Sequence, residues 1–105
     1  MAEDIDIQIK KGALELCVLA LLSARESYAY EIASSLSERV GMGEGTIYPL
    51  MRRLQADGLV ETRLEESSSG PPRKYYRLSA LGRSAYAARK REWRDFVDAV
   101  DKLLG

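Results

Sequence analysis

The folds open to this chain are narrowed most by a three-residue break, Gly41-Met42-Gly43, set between two stretches of helical apolar spacing. Upstream, Tyr28, Ile32, Ala33, Leu36 and Val40 recur on one face while Ser34, Ser35, Ser37 and Glu38 occupy the other, the pattern of a helix with one buried side. Downstream, Ile47, Leu50, Met51 and Leu54 repeat it until Asp57-Gly58. Glycine reaches positive backbone angles without steric cost, so it can end the first helix and redirect the chain within one turn. Two helices joined so tightly form a helix-turn-helix. The second should begin between Glu44 and Thr46, with Thr46 as N-cap and Pro49 in the first turn, where a missing amide proton costs least. Its polar set, Tyr48, Arg52, Arg53 and Gln55, is left for solvent or for a groove.

The flanking segments extend the pattern. An earlier helix follows Lys11-Gly12, with Leu14, Val18, Leu19, Leu21 and Leu22 on its apolar face and a polar break at Ser23 to Ser27. After Gly58, Leu59 to Leu64 and Arg73 to Leu78 read as two strands around a tip, Glu65 to Pro72, whose Ser, Gly and Pro content should exclude regular structure. Along the returning strand Lys74, Tyr76 and Leu78 share one face and Arg73, Tyr75 and Arg77 the other. The hairpin is a wing. Ser79 is placed to cap a last helix from Ala80 to about Leu104, roughly 36 Å long at 1.5 Å per residue. Its apolar positions are Leu81, Tyr86, Trp93, Phe96, Val97, Val100, Leu103 and Leu104, with near-coiled-coil spacing after Tyr86. Such a helix outruns so small a core, so its stripe calls for a second copy of the chain, with the first helix able to join the seam. The expectation is a mainly α protein with a small β-hairpin: a winged helix-turn-helix at 1–78 and a dimerisation helix at 79–105, together one compact domain.

Composition removes other classes. A chain of 105 residues, 46% hydrophobic and 30% charged, is an ordinary globular domain. Its densest apolar run, Leu14 to Leu22, is interrupted by Glu15 and falls short of the roughly 20 residues a bilayer requires. Glu3, Asp4 and Asp6 make the start unlike a signal peptide, so the expected location is the cytoplasm and no membrane partner is foreseen. A single cysteine, Cys17, lies in the first apolar helix and reads as a buried structural thiol, and there is no histidine. Disulfides, multi-cysteine or His-rich metal sites and Ser-His-Asp or Cys-His catalysis are thereby excluded, and no cofactor is implied. Glu31, Glu44 and Asp57 are isolated carboxylates with neither a nucleophile-base pair nor a phosphate-cradling loop, so an enzyme is not expected. Net charge is zero, yet eleven Lys and Arg stand against six Asp and Glu between Glu44 and Arg94. Positive charge gathered on one set of elements suits double-stranded DNA.

Four motifs carry a resemblance: Lys11-Gly12-Ala13-Leu14-Glu15, Tyr28-Ala29-Tyr30-Glu31-Ile32, Gly45-Thr46-Ile47-Tyr48-Pro49-Leu50 and Gly70-Pro71-Pro72-Arg73-Lys74-Tyr75-Tyr76. In this order, over nearly the whole chain, they resemble the PadR family of bacterial transcriptional regulators, in its short-tailed branch. The chain departs from the usual pattern at Ala29, where glycine is typical, and at Ser79, where threonine is. The resemblance implies a dimeric repressor on an inverted repeat, released in several relatives by small aromatic or cationic molecules in a cavity at the dimer interface. It also implies that Thr46, Tyr48 and Pro49 form the groove-facing turn, with Thr46 or Tyr48 bonding a phosphate; a plain cap and a half-buried ring are the alternatives. Arg52 and Arg53 can fork to guanine or contact phosphate, and Arg73 or Lys74 can reach the flanking backbone. Trp93, with Phe96, Val97 and Val100, is expected at the dimer seam, where paired indoles and nearby Asp95 or Asp98 would favour a flat cation, against simple packing. A winged-helix protein-interaction module without DNA binding is the competing class.

Overall fold

Apolar spacing and glycine punctuation translate into four helices and three strands: α1 (Ala2–Ala24), β1 (Ser27–Tyr28), α2 (Ala29–Val40), α3 (Glu44–Ala56), β2 (Val60–Ser67), β3 (Gly70–Leu78) and α4 (Ala80–Leu104). The computed structural model describes residues 2–105, with side chains from position 13 onward. The first motif's Lys11-Gly12 and the acidic Glu3, Asp4 and Asp6 thus lie outside the residues whose side chains are described. The backbone of α1 begins well before the expected start after Gly12. No proline interrupts positions 2–12, and cooperative propagation outweighs the ~1 kcal/mol that one interior glycine costs.

The core is built where the apolar faces meet. Leu14, Val18, Leu19 and Leu22 of α1, Ile32, Ala33 and Leu36 of α2, and Ile47, Met51 and Leu54 of α3 are all buried, with Leu59, Val60, Tyr76 and Leu78 closing it from the hairpin. Met42, inside the turn, is buried too, so the link between α2 and α3 is pinned by its own side chain. Of the two turn glycines only Gly41 uses its freedom, at φ 68°, while Gly43 keeps φ −79°. The end of α3 is closed by Gly58 at φ 77°: its amide donates to the Gln55 carbonyl and that of Leu59 to the Leu54 carbonyl, the paired bonds of a Schellman cap. Cys17 is half-buried rather than buried; burial raises its thiol above the ordinary value, against a smaller opposing pull from Arg39.

Two features of the sheet differ from expectation. First, Ser27–Tyr28 forms a short strand antiparallel to β3, giving the order β1-β3-β2, and Tyr28 then serves as the N-cap position of α2. Second, the wing is nearly all strand, with Ser67 paired to Gly70 across a two-residue turn. Pro71 and Pro72 sit opposite the single residue Glu66, where the register shifts. A proline has no amide proton to give a ladder, so it is tolerated where the ladder is already interrupted and β1 does not reach. Ser79 caps α4 as expected, its Oγ accepting from the Gly82 amide at 3.0 Å and donating to the Gly58 carbonyl at 2.6 Å. The start of α4 is thereby tied to the end of α3. No described helix is long and apolar enough to cross a membrane.

Candidate nucleic-acid interface

The first turn of α3 is capped by Gly43, whose carbonyl accepts from the amides of Thr46 and Ile47 at 3.1 and 3.3 Å. Thr46 is therefore inside the helix and not its cap, and Pro49 lies in the second turn, in the helix interior. An interior proline crowds the carbonyl four residues back. That carbonyl belongs to Gly45, which carries no side chain and would have open space around one, so the backbone there can yield. With Ile47, Met51 and Leu54 pinned to the core, Pro49, Arg52 and Arg53 are exposed and Thr46 and Tyr48 half-buried. At about 100° per residue Arg52 and Arg53 diverge around the axis, Arg52 toward the hairpin side with Tyr48 and Gln55, Arg53 toward α1. Thr46, Pro49, Leu50 and Arg53 line a cleft of about 380 Å³ together with Leu14 and Glu15. Burial raises the Tyr48 phenol above its ordinary value, with Glu44, Tyr30 and Tyr76 adding to the effect, so it remains a protonated donor at neutral pH.

The hairpin splits the two wing cations between its faces. Lys74 is on the face toward α3, with Nζ 3.4 Å from Gln55 Oε1 and 5.5 Å from the Tyr76 ring centroid. Gln55 in turn donates from Nε2 to Thr62 Oγ1 at 3.4 Å, so one amide of the recognition helix touches both wing strands. Arg73 is on the opposite face, its guanidinium 4.7 Å over Tyr28, in a stack continued by Tyr75 and Arg63. The chain alone places Gln55 in the polar set left for solvent or a groove, and its bridge to the wing is visible only in the fold. A further residue not singled out from the chain is Leu64, which stands 71% exposed across from Lys74; an apolar residue at the inward phase of a strand, beyond the reach of the core, was the available signal.

Ion pairing sorts the positive charge. Arg63 is held by Glu26, Arg77 by Glu61 and Arg89 by Glu15. Arg52, Arg53, Arg73 and Lys74 have no carboxylate partner among the described residues. Of these, Lys74 joins the Arg52 side of α3 through Gln55, Arg53 turns toward α1 and Arg73 lies on the far face of the sheet; a polyanion would meet each without displacing a salt bridge seen among the described residues.

Farther along the chain, α4 keeps its apolar stripe largely uncovered: Trp93 is 40% exposed, Phe96 63% and Leu103 88%, with Val97 and Val100 intermediate. The carboxylates beside Trp93 are not the expected Asp95 and Asp98. Trp93 shares a concavity with Glu15, Leu16, Arg89 and Glu92, whereas Asp95 lines a different one with Tyr86, Lys90, Arg91 and Arg94. Helical phase is the reason: positions 93 and 95 are about 160° apart around the axis.

Comparison with known proteins agrees with this architecture. A family model described as the transcriptional regulator PadR-like family matches residues 18–88. A PadR-like transcriptional regulator from Bacillus cereus is 38% identical at a TM-score of 0.83, covering 92% of this chain and 96% of that one. A PadR family transcriptional regulator from Eggerthella lenta is 32% identical at a TM-score of 0.85, covering 98% and 91%. A PadR-like transcription factor from Bacteroides fragilis is 38% identical at a TM-score of 0.78, covering 95% and 98%.

Proposed function

Since the chain belongs to the PadR-like family of transcriptional regulators, we propose that it acts as a homodimeric repressor that lays α3 into the major groove of each half of a near-palindromic operator. Residues 1–78 bind DNA and residues 79–105 hold the dimer together. The reading is carried by the four cations Arg52, Arg53, Arg73 and Lys74 on adjoining elements, which have no carboxylate partner among the described residues, while Arg63, Arg77 and Arg89 are neutralised. Arg52 and Arg53 address base edges or phosphates from either flank of α3, Thr46, Tyr48 and Pro49 form the surface that enters the groove, and Lys74 reaches the flanking backbone. Arg73, on the far face of the sheet, contacts phosphate only at the wing's edge. A small aromatic ligand seats against Trp93 at the dimer seam, and a cation is favoured by Glu15 and Glu92.

The test is a titration of the gene's own upstream DNA at two salt concentrations with wild type, Arg52→Ala and Lys74→Ala. Salt-sensitive binding should weaken about tenfold with Arg52→Ala, and Lys74→Ala should lower the salt slope by about one. A flat aromatic cation added to the same mixture should release DNA and quench the chain's lone tryptophan. Binding that neither salt nor the substitutions change would sink the DNA reading in favour of a protein-interaction module, and release without quenching would move the ligand away from Trp93.

A further inference from the structure

Glu15 stands between two concavities. On one side it lines the cleft of about 380 Å³ that contains Thr46, Pro49 and Arg53 of α3. On the other it lines the hollow that contains Arg89, Glu92 and Trp93 of α4. Its carboxylate is committed to the second side: Oε1 accepts from Arg89 Nη1 at 2.6 Å, which ties α1 to α4. Both side chains of this pair are half-buried. The neighbouring Leu14 is buried and pins α1 in place, so the carboxylate can change partner only by turning its own side chain. A partly desolvated carboxylate left alone is costly, and on losing Arg89 it takes another cation within reach. Among the described residues, the other cation that shares a cavity with Glu15 is Arg53, which makes no ion pair there.

We propose that the Glu15–Arg89 pair is an autoinhibitory latch. While Arg89 holds Glu15, Arg53 is left to the DNA; once α4 withdraws Arg89, Glu15 turns across the cleft and takes Arg53 out of the interface. This rests on the DNA-binding reading above and adds a way for α4 to govern it. The switch is an exchange of ion-pair partners at constant charge, and α3 itself need not move. Arginine suits both ends, because a guanidinium meets a carboxylate through a planar fork of donors that an ammonium lacks. A released carboxylate acts a second way as well. It lies beside the groove-facing turn of Thr46 and Pro49, and it repels a phosphate that comes within the ~8 Å screening length at physiological salt. A brace between α1 and α4 would need both partners equally. The latch instead makes Glu15 harmless only while Arg89 is present, so the two residues have opposite effects on DNA binding.

The experiment titrates the gene's upstream DNA at two salt concentrations with wild type, Arg89→Met, Glu15→Gln and the two combined, each variant retaining the wild-type helical signal. Arg89→Met should weaken binding about tenfold and lower the salt slope by about one, as though one arginine contact had gone. Glu15→Gln alone should bind at least as tightly as wild type, and adding it to Arg89→Met should restore wild-type affinity. In an Arg53→Ala background Arg89→Met should cost nothing further. A combined variant no better than Arg89→Met, or an equal loss from Glu15→Gln, would reduce the pair to a brace and overturn the latch. If wild type itself binds no DNA, the DNA reading fails separately, and the exchange of partners is then tested in the free protein by the Arg53 Nε–Hε resonance. That signal should respond to Glu15→Gln in the Arg89→Met chain and not in the chain that keeps Arg89; no response in either rejects the proposal.

Discussion

An added Cβ at Gly82 would stand 1.9 Å from the Leu59 carbonyl oxygen and 3.0 Å from its carbon. Both are backbone atoms, and the Leu59 oxygen also accepts from the Ser79 amide at 3.1 Å, so neither side can retreat cheaply. Glycine is required here by close approach: its φ is ordinary, and it lies in the first turn of a helix where alanine would otherwise be preferred. Gly82→Ala should therefore destabilise the protein by more than about 2 kcal/mol and lower the thermal midpoint by roughly 8 °C or more. A calorimetric midpoint within 2 °C of wild type would show that the α4 start is more yielding than this contact implies. Nothing in the sequence around Leu81-Gly82-Arg83 advertised the constraint, because the Leu59 carbonyl comes from another element.

At the scale of elements, the link that matters is between α3 and the wing. Neither is rigid relative to the other through core contacts at the tip, where Leu64, Glu65 and Glu66 are exposed. The polar bridge from Gln55 to Thr62 and Lys74 spans that gap with two contacts of 3.4 Å. Solvent-exposed bonds of this length, one of them from the Lys74 ammonium, add little to stability, yet they set where Lys74 stands relative to the groove-facing surface. Gln55→Ala should leave the melting temperature within about 2 °C and weaken operator binding about three- to tenfold, most of it recovered by Gln55→Asn only if the shorter amide still reaches Lys74. Fluorescence-anisotropy titration beside thermal denaturation separates the two effects; equal affinity for wild type and Gln55→Ala would reduce the bridge to a surface contact. The hairpin itself was legible as two strands, but its prolines concealed how far they extend. They act as breakers only where a ladder bond is needed, and the shift opposite Glu66 removes that need.

For the molecule as a whole, the proposed dimer would hold two recognition surfaces at fixed separation, which requires two half-sites on one face of the DNA. Inserting five base pairs between the half-sites should turn one by about half a helical turn and reduce affinity to that of a single half-site, while inserting ten should restore much of it. A footprinting series over such operators checks this; insensitivity to the five-base-pair insertion would mean that the two DNA-binding units are not rigidly coupled.

Local chemistry was enough for the helices, the turn at Gly41, the Ser79 cap and the family, since apolar period, glycine and hydroxyl placement act within a few residues. It also named the cations of α3 and β3. Tertiary structure alone decided the β1 strand, the contact at Gly82, and which arginines are already neutralised. The cause is common to all three: each depends on a backbone or carboxylate group brought near by folding from a different part of the chain, and no periodicity in a single segment encodes which distant group will arrive.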